Sequence, residues 1–293
     1  MPFDIRSLLP DDTNAVEQLL NMNATDTYPY GPVTDLQFDE LLATESDWMA
    51  DCVTLGAFSG TELLAAAKIG RNPVEGEPRD FRNMLPGDGV IDWLLLSDED
   101  AADALLDFAA PTLGERRYAF PEKGGLRPFA PFHTGMLPIQ RKPITAFFER
   151  RGWEQPVGET WGPQERIAYR YDFAGPVEVP SLPQGLRMKK DTDLEIETNN
   201  GAPVGASSIS NGMLRGEKLL DAVYVGWLGV NEEWRGQGLG RILLTMQLKK
   251  AYEMGANRVY LTTHAGKPAW KLYERMGFRE VMRMKSWFKE IQP

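Results

Sequence analysis

In the stretch WRGQGLGRILL, Gly236, Gly238 and Gly240 alternate, with Arg235 and Arg241 on either side. Glycine within a helix costs roughly 0.5–1 kcal/mol relative to alanine, so three of them at a helix start need a reason. The first amides of a helix have no intrahelical acceptor, and without Cβ atoms they can approach an anion closely. The helix dipole and the two arginines add positive potential. A diphosphate suits such a cradle. The spacing G-x-G-x-G is neither the dinucleotide fingerprint nor a P-loop, which would end in Gly-Lys-Ser/Thr.

The elements that must position this cradle can be read around it. A strand near 222–230 leads in, and a helix from about 238 to 254 leads out, with Leu239, Ile242, Leu243, Met246 and Met254 on its inner face. Gly255 is its expected stop. Strands are expected near 193–198 and 203–209 before it; a strand at 257–263, a helix at 267–276 and a strand at 280–289 follow. The earlier half reads as helices at 11–22 and 35–44, strands at 52–58, 63–70 and 89–96, and a helix at 99–110. A strand at 116–120, a helix at 143–151 and a strand at 166–172 complete it, with a hairpin turn at Gly60. The Pro- and Gly-rich stretch YDFAGPVEVPSLPQG reads as a linker near residue 175. The fold class is α/β with a mixed sheet in each of two lobes, 1–175 and 176–293.

Composition bounds the function. The 293 residues carry a net charge of −10, unevenly placed: 15 basic against 29 acidic residues through position 175, then 17 against 13. Such a first half is unsuited to nucleic acid, and the second suits an anionic ligand. No apolar run is long enough to cross a bilayer, and the N-terminus lacks the basic flank and apolar stretch of a signal peptide. Cys52 is the only cysteine, which excludes an intrachain disulfide and fits a cytoplasmic location. His133 and His264 are far apart and no Cys/His cluster has zinc spacing, so no metal is expected.

The halves echo one another. PITAFFERRGWE (143–154) lines up without a gap against PAWKLYERMGFR (268–279), and DWLLL before a helix matches GWLGV before the cradle helix. Their shared order suggests an internal duplication.

RGQGLG (235–240) matches the Q/R-x-x-G-x-G/A signature of the GNAT superfamily of acetyl-CoA-dependent N-acetyltransferases, which the sequence resembles over about residues 220–280. WLGVNEEWRGQGLGRILL looks like the strand, loop and helix of that family, and PAWKLYERMGF like its next helix. At full length the chain is similar to tandem GNAT proteins, mycothiol synthase among them. The resemblance implies two tandem lobes, each a mostly antiparallel mixed sheet flanked by helices, with acetyl-CoA as co-substrate. It implies that Leu228, Gly229 and Val230 pair with the pantetheine arm. Arg235, Gly236, Gln237, Gly238, Leu239, Gly240 and Arg241 would hold the pyrophosphate. Tyr273 falls on the family's general acid. For the base, His264 at a strand end, Glu232, Glu233 and a water relay stay open. The asparagine frequent before the second helix is absent, and Gly266 stands near its place.

The first lobe has LLLSDEDAADALL where the cradle should be, with Asp98, Glu99 and Asp100 in the phosphate position and Phe148 at the Tyr273 position. It is expected neither to bind coenzyme A nor to catalyse, and to serve a structural or acceptor-side role. The acceptor is expected to be a small-molecule, peptide or protein amine; a homodimer is left open. The rival reading is a non-catalytic acyl-CoA-binding or interaction module.

Overall fold

The computed structural model describes residues 3–23, 49–73, 84–121, 136–158, 162–163, 165–189, 194–210 and 222–291. The helix expected at 35–44 lies outside the described residues. The chain forms two compact units: Met1–Arg166 with Met282–Pro293, and Ile167–Val281. These are not the halves 1–175 and 176–293 expected from the linker. Two strands cause the difference, and each departs from its sequence neighbours to pair elsewhere.

The first unit is built on a sheet in the order Asp4–Ser7, Ala50–Ser59, Glu62–Arg71, Gly89–Leu96, Arg116–Ala119 and Trp287–Glu290. Its hairpin turns at Gly60, whose φ of +62° is open to glycine at no steric cost. Every residue of Gly89–Leu96 is buried. That accounts for a nearly unbroken apolar run: with every position covered, neither face of the strand meets water. Helix Thr13–Asn23 contributes Val16, Leu19 and Leu20, and helix Glu99–Phe108 contributes Ala101, Ala102, Leu105 and Leu106. The last strand comes from the far end of the chain. Trp287–Glu290 runs antiparallel to Arg116–Ala119, and Phe288 exchanges two backbone hydrogen bonds with Glu154 at 2.7 and 2.8 Å. The single strand expected at 280–289 is therefore two, Arg279–Lys285 and Trp287–Glu290.

At the N-terminal edge the Arg6 guanidinium donates two hydrogen bonds to Asp12, at 2.7 and 2.8 Å, and the Leu9 amide donates a third. The Arg6 bonds, first of all, hold the Asp12 carboxyl below its ordinary pKa. A lowered carboxylate stabilises the fold above its unfolded value near 3.9 and loses that effect as pH falls through the folded value. Asp12→Asn should therefore destabilise the first unit at neutral pH by up to about 1 kcal/mol, and the gap should narrow in acid as the carboxylate takes up its proton. Paired urea melts at neutral and acid pH would check this.

In the second unit the strand order is Leu186–Met188, Glu195–Thr198, Pro203–Ser210, Ala222–Val230, Arg258–His264, Glu165–Asp172 from Ile167 onward, and Arg279–Lys285 as far as Val281. Glu165–Asp172 was expected to close the first lobe. From Ile167 onward it belongs to the second, where Ile167 and Tyr169 are core residues and the Tyr171 ring lies tilted against Phe278, centroids 5.3 Å apart. Helix Leu239–Glu253 buries Leu239, Ile242, Leu243, Leu244, Leu248 and Ala251, a wider face than the sequence pattern gave. Met246 is partly buried, but Met254 is exposed, since it is the C-cap rather than a core position. Gly255 ends the helix at φ +81°, with its amide on the Tyr252 carbonyl and that of Ala256 on Ala251. This is a Schellman closure. Among the described residues no helix is long and apolar enough to cross a membrane.

Candidate functional site

The site begins with a sheet that comes apart. Ala222–Val230 runs parallel to Arg258–His264, paired from Ala222↔Arg258 to Val225↔Leu261, and there the pairing stops. On its other side the same strand stays paired with Pro203–Ser210 as far as Val230↔Gly205. Between Ser208↔Trp227 and Ile209↔Val225 one residue, Gly226, is extra. It forms a β-bulge, which bends its strand and increases the local twist. One main-chain edge of Gly226–Val230, the segment holding Leu228, Gly229 and Val230, therefore has no strand beside it among the described residues. A glycine inside an apolar strand was the available signal for the bulge.

The chain then makes a short 3₁₀ turn, Glu232–Trp234, and reaches the cradle. Arg235 donates from Nε to the Val230 carbonyl at 3.1 Å, which ties the turn to the strand end. Gly236 and Gly238 both have φ of +80°, and Gly238 is the N-cap of Leu239–Glu253 with no side-chain cap. The first helical bonds are those of Arg241 and Ile242 to the Gly238 carbonyl. The amides of Gly236, Gln237, Gly238, Leu239 and Gly240 have no backbone acceptor among the described residues. Gly236 and Gly238 are thus glycine for their backbone conformation. Gly240 differs: a Cβ there would meet only Leu272 Cδ2 at 3.5 Å and Val230 Cγ2 at 3.9 Å, ordinary contacts. Nothing among the described residues requires glycine at 240.

Leu272 lies on helix Trp270–Arg275, so its contact with Gly240 brings the next residue, Tyr273, to the same region. Tyr273 is buried, its ring 5.8 Å from Tyr169 and 6.1 Å from Phe278. Tyr169 was missed in the sequence because its strand was assigned to the other lobe, and no local signal marks it. His264 ends Arg258–His264 beyond the point of separation, half-buried, and its carbonyl accepts from the Lys267 amide at 3.1 Å. Glu232 and Glu233 are exposed.

The first unit repeats the frame with different contents. Gly89–Leu96 pairs with Arg116–Ala119 only as far as Ile91↔Ala119, and Asp92 is the extra residue of a bulge between Lys68↔Trp93 and Ile69↔Ile91. Bulge and separation fall at the positions that the DWLLL and GWLGV alignment equates. Here, though, the chain fills the site itself. Asp98 Oδ1 accepts from the Ala101 amide at 2.8 Å, capping the helix where the cradle has bare amides. Glu99 pairs with Arg150 and Arg151, and Asp103 with Arg151. Phe148 is fully buried at the centre of an aromatic group with Phe120, Phe147, Trp153 and Trp287.

Residues 194–278 match the acetyltransferase (GNAT) family. A mycothiol acetyltransferase of Corynebacterium aurimucosum is 49% identical over 57 residues, 19% of this chain and 18% of that protein. The chain thus spans less than a fifth of the curated relative it matches. A tandem GNAT protein from the clavulanic acid biosynthesis pathway aligns at a TM-score of 0.66 and 16% identity, covering 99% of each chain. A GCN5-related N-acetyltransferase from Sphaerobacter thermophilus gives a TM-score of 0.60 at 14% identity, covering 100% of this chain and 96% of that one. At these identities the two structures speak to fold.

Proposed function

We propose, from the match of residues 194–278 to the acetyltransferase (GNAT) family and the fold shared with a tandem GNAT protein, that the protein is an N-acetyltransferase using acetyl-CoA and a primary amine. One observation carries the reading: a sheet that parts at Gly226 leads straight into a helix start whose five amides lack acceptors within the described backbone. Gly240 sharpens it, since a helical glycine that packing does not require is best explained by a molecule outside the chain.

Acetyl-CoA supplies an acetyl group activated as a thioester. The chain supplies the rest. The amides of Gly236 through Gly240, with Gln237, Arg235 and Arg241 beside them, hold the diphosphate. The vacant edge at Leu228, Gly229 and Val230 lines the pantetheine arm and offers an amide to the developing oxyanion. Tyr273 gives a proton to the departing thiolate, and His264 is the candidate base for the incoming amine. The first unit plays a structural or acceptor-side part and binds no coenzyme A, because Asp98 occupies its helix start and Phe148 has no proton to give.

Gly240→Ala separates ligand from fold. The variant should melt higher, by roughly 0.5–1 kcal/mol of helix propensity, yet bind acetyl-CoA at least about tenfold more weakly, as the methyl group takes about 1.4 kcal/mol or more from the contact. Calorimetry with acetyl-CoA and a thermal melt on the same sample test both. No heat from the unmodified protein would remove the proposal; heat without thiol release for any amine would favour a binding module.

A further inference from the structure

Trp227 is 58% exposed, whereas its counterpart across the duplication, Trp93, is fully buried. Exposure is therefore not a requirement of the frame. The indole lies against the strand: a Cβ on Gly229 would stand 2.6 Å from Trp227 Cζ2. Glycine at 229 thus leaves room for the indole over the main chain, and the residue stays 58% exposed. The register places a carboxylate on the same side of the sheet. Gly229 pairs with Ala206, and Ala206 with Glu195, so these three form one row across neighbouring strands. Helix Leu239–Glu253 covers the opposite side, where Gly205 faces Leu243.

Trp227, Glu195 and Glu197 line one cleft of about 350 Å³, together with Lys189 and Asn231. That volume suits a small molecule. The carboxylates are met by Lys189 at 2.7 Å and by Arg187 at 2.8 Å, both about half exposed. With cations this exposed the pairs are worth little, so a ligand cation can replace Lys189 or Arg187, while Glu195 at 33% and Glu197 at 13% side-chain exposure are partly shielded from water. An indole face with carboxylates beside it is an arrangement that holds organic cations.

We propose that this cleft seats the amine acceptor and that the acceptor carries a second, permanently protonated group, which rests on Trp227 with Glu195 and Glu197 supplying the negative charge. The proposal rests on the acetyltransferase reading and extends it. The attacking amine must be neutral, so the charge held here belongs to another group of the same molecule.

Putrescine and n-butylamine are suitable probes, since they differ in the second ammonium. Putrescine should shift the indole Nε1–H resonance of Trp227 in an NMR titration without acetyl-CoA, and n-butylamine should not. In turnover, the KM of putrescine should lie at least about tenfold below that of n-butylamine. Trp227→Ala and the Glu195→Gln/Glu197→Gln double variant should abolish that preference, and Trp227→Phe should retain part of it. Trp227 is half in solvent, so its replacement leaves the core intact. Equal response of the Trp227 resonance to both amines, or a preference surviving Trp227→Ala, overturns the proposal. Failure of acetyl-CoA to bind would instead remove the enzymatic reading, and the indole titration separates the two.

Discussion

Tyr273→Phe should lower kcat by about 10²–10³-fold while acetyl-CoA affinity stays within about twofold, the outcome that the proposed role of Tyr273 as proton donor to the leaving thiolate requires. The ring is anchored between Tyr169 and Phe278, and phenylalanine preserves those contacts. Loss of the hydroxyl costs the fold only about 1 kcal/mol. The phenol and a thiol have similar intrinsic proton affinities, with pKa values near 10 and 8.5, so transfer between them needs no large environmental shift. Rapid-quench measurement of acetyl transfer, with calorimetry for the cofactor, would show the split. An unchanged kcat would leave Tyr273 as a packing residue. The alkaline limb of the pH profile should also change in the variant, which a purely structural role would not produce.

Trp287→Ala has the largest expected effect on stability, about 3–5 kcal/mol, and should fall on the unit far from it in sequence. Trp287 is buried against Phe148, the rings stacked 5.9 Å apart with 12° between their planes, and its strand closes the sheet beside Arg116–Ala119. Hydrogen exchange is the appropriate measurement. Protection should fall across Gly89–Leu96 and Arg116–Ala119, with little change across Arg258–His264. Losses confined to the second unit would contradict the strand assignment.

Much of this was legible in the sequence where local and global signals agree. Gly236, Gly238 and Gly240 announced an open helix start, and helix Leu239–Glu253 and strand Gly89–Leu96 fall within a residue or two of their expected limits. The duplication was visible in DWLLL and GWLGV, and the matched bulges at Asp92 and Gly226 give that alignment a geometric basis. The partners of Glu165–Asp172 and Trp287–Glu290 were not legible. A strand's alternation specifies which faces it can bury, but nothing in RIAYRY or SWFKE encodes which sheet edge it joins. Tyr169 stayed hidden near Tyr273 for that reason. Likewise, Trp93 and Trp227 sit in similar sequence contexts, and only the covering of one and not the other separates them.

The placement of Trp287–Glu290 also bears on synthesis. A nascent chain that has emerged from the ribosome as far as Arg166 has every other strand of its first sheet in hand, but the Arg116–Ala119 edge stays open until residue 290 has emerged as well. During that interval an unpaired edge is exposed to other chains, the condition under which chaperones are engaged and aggregation begins.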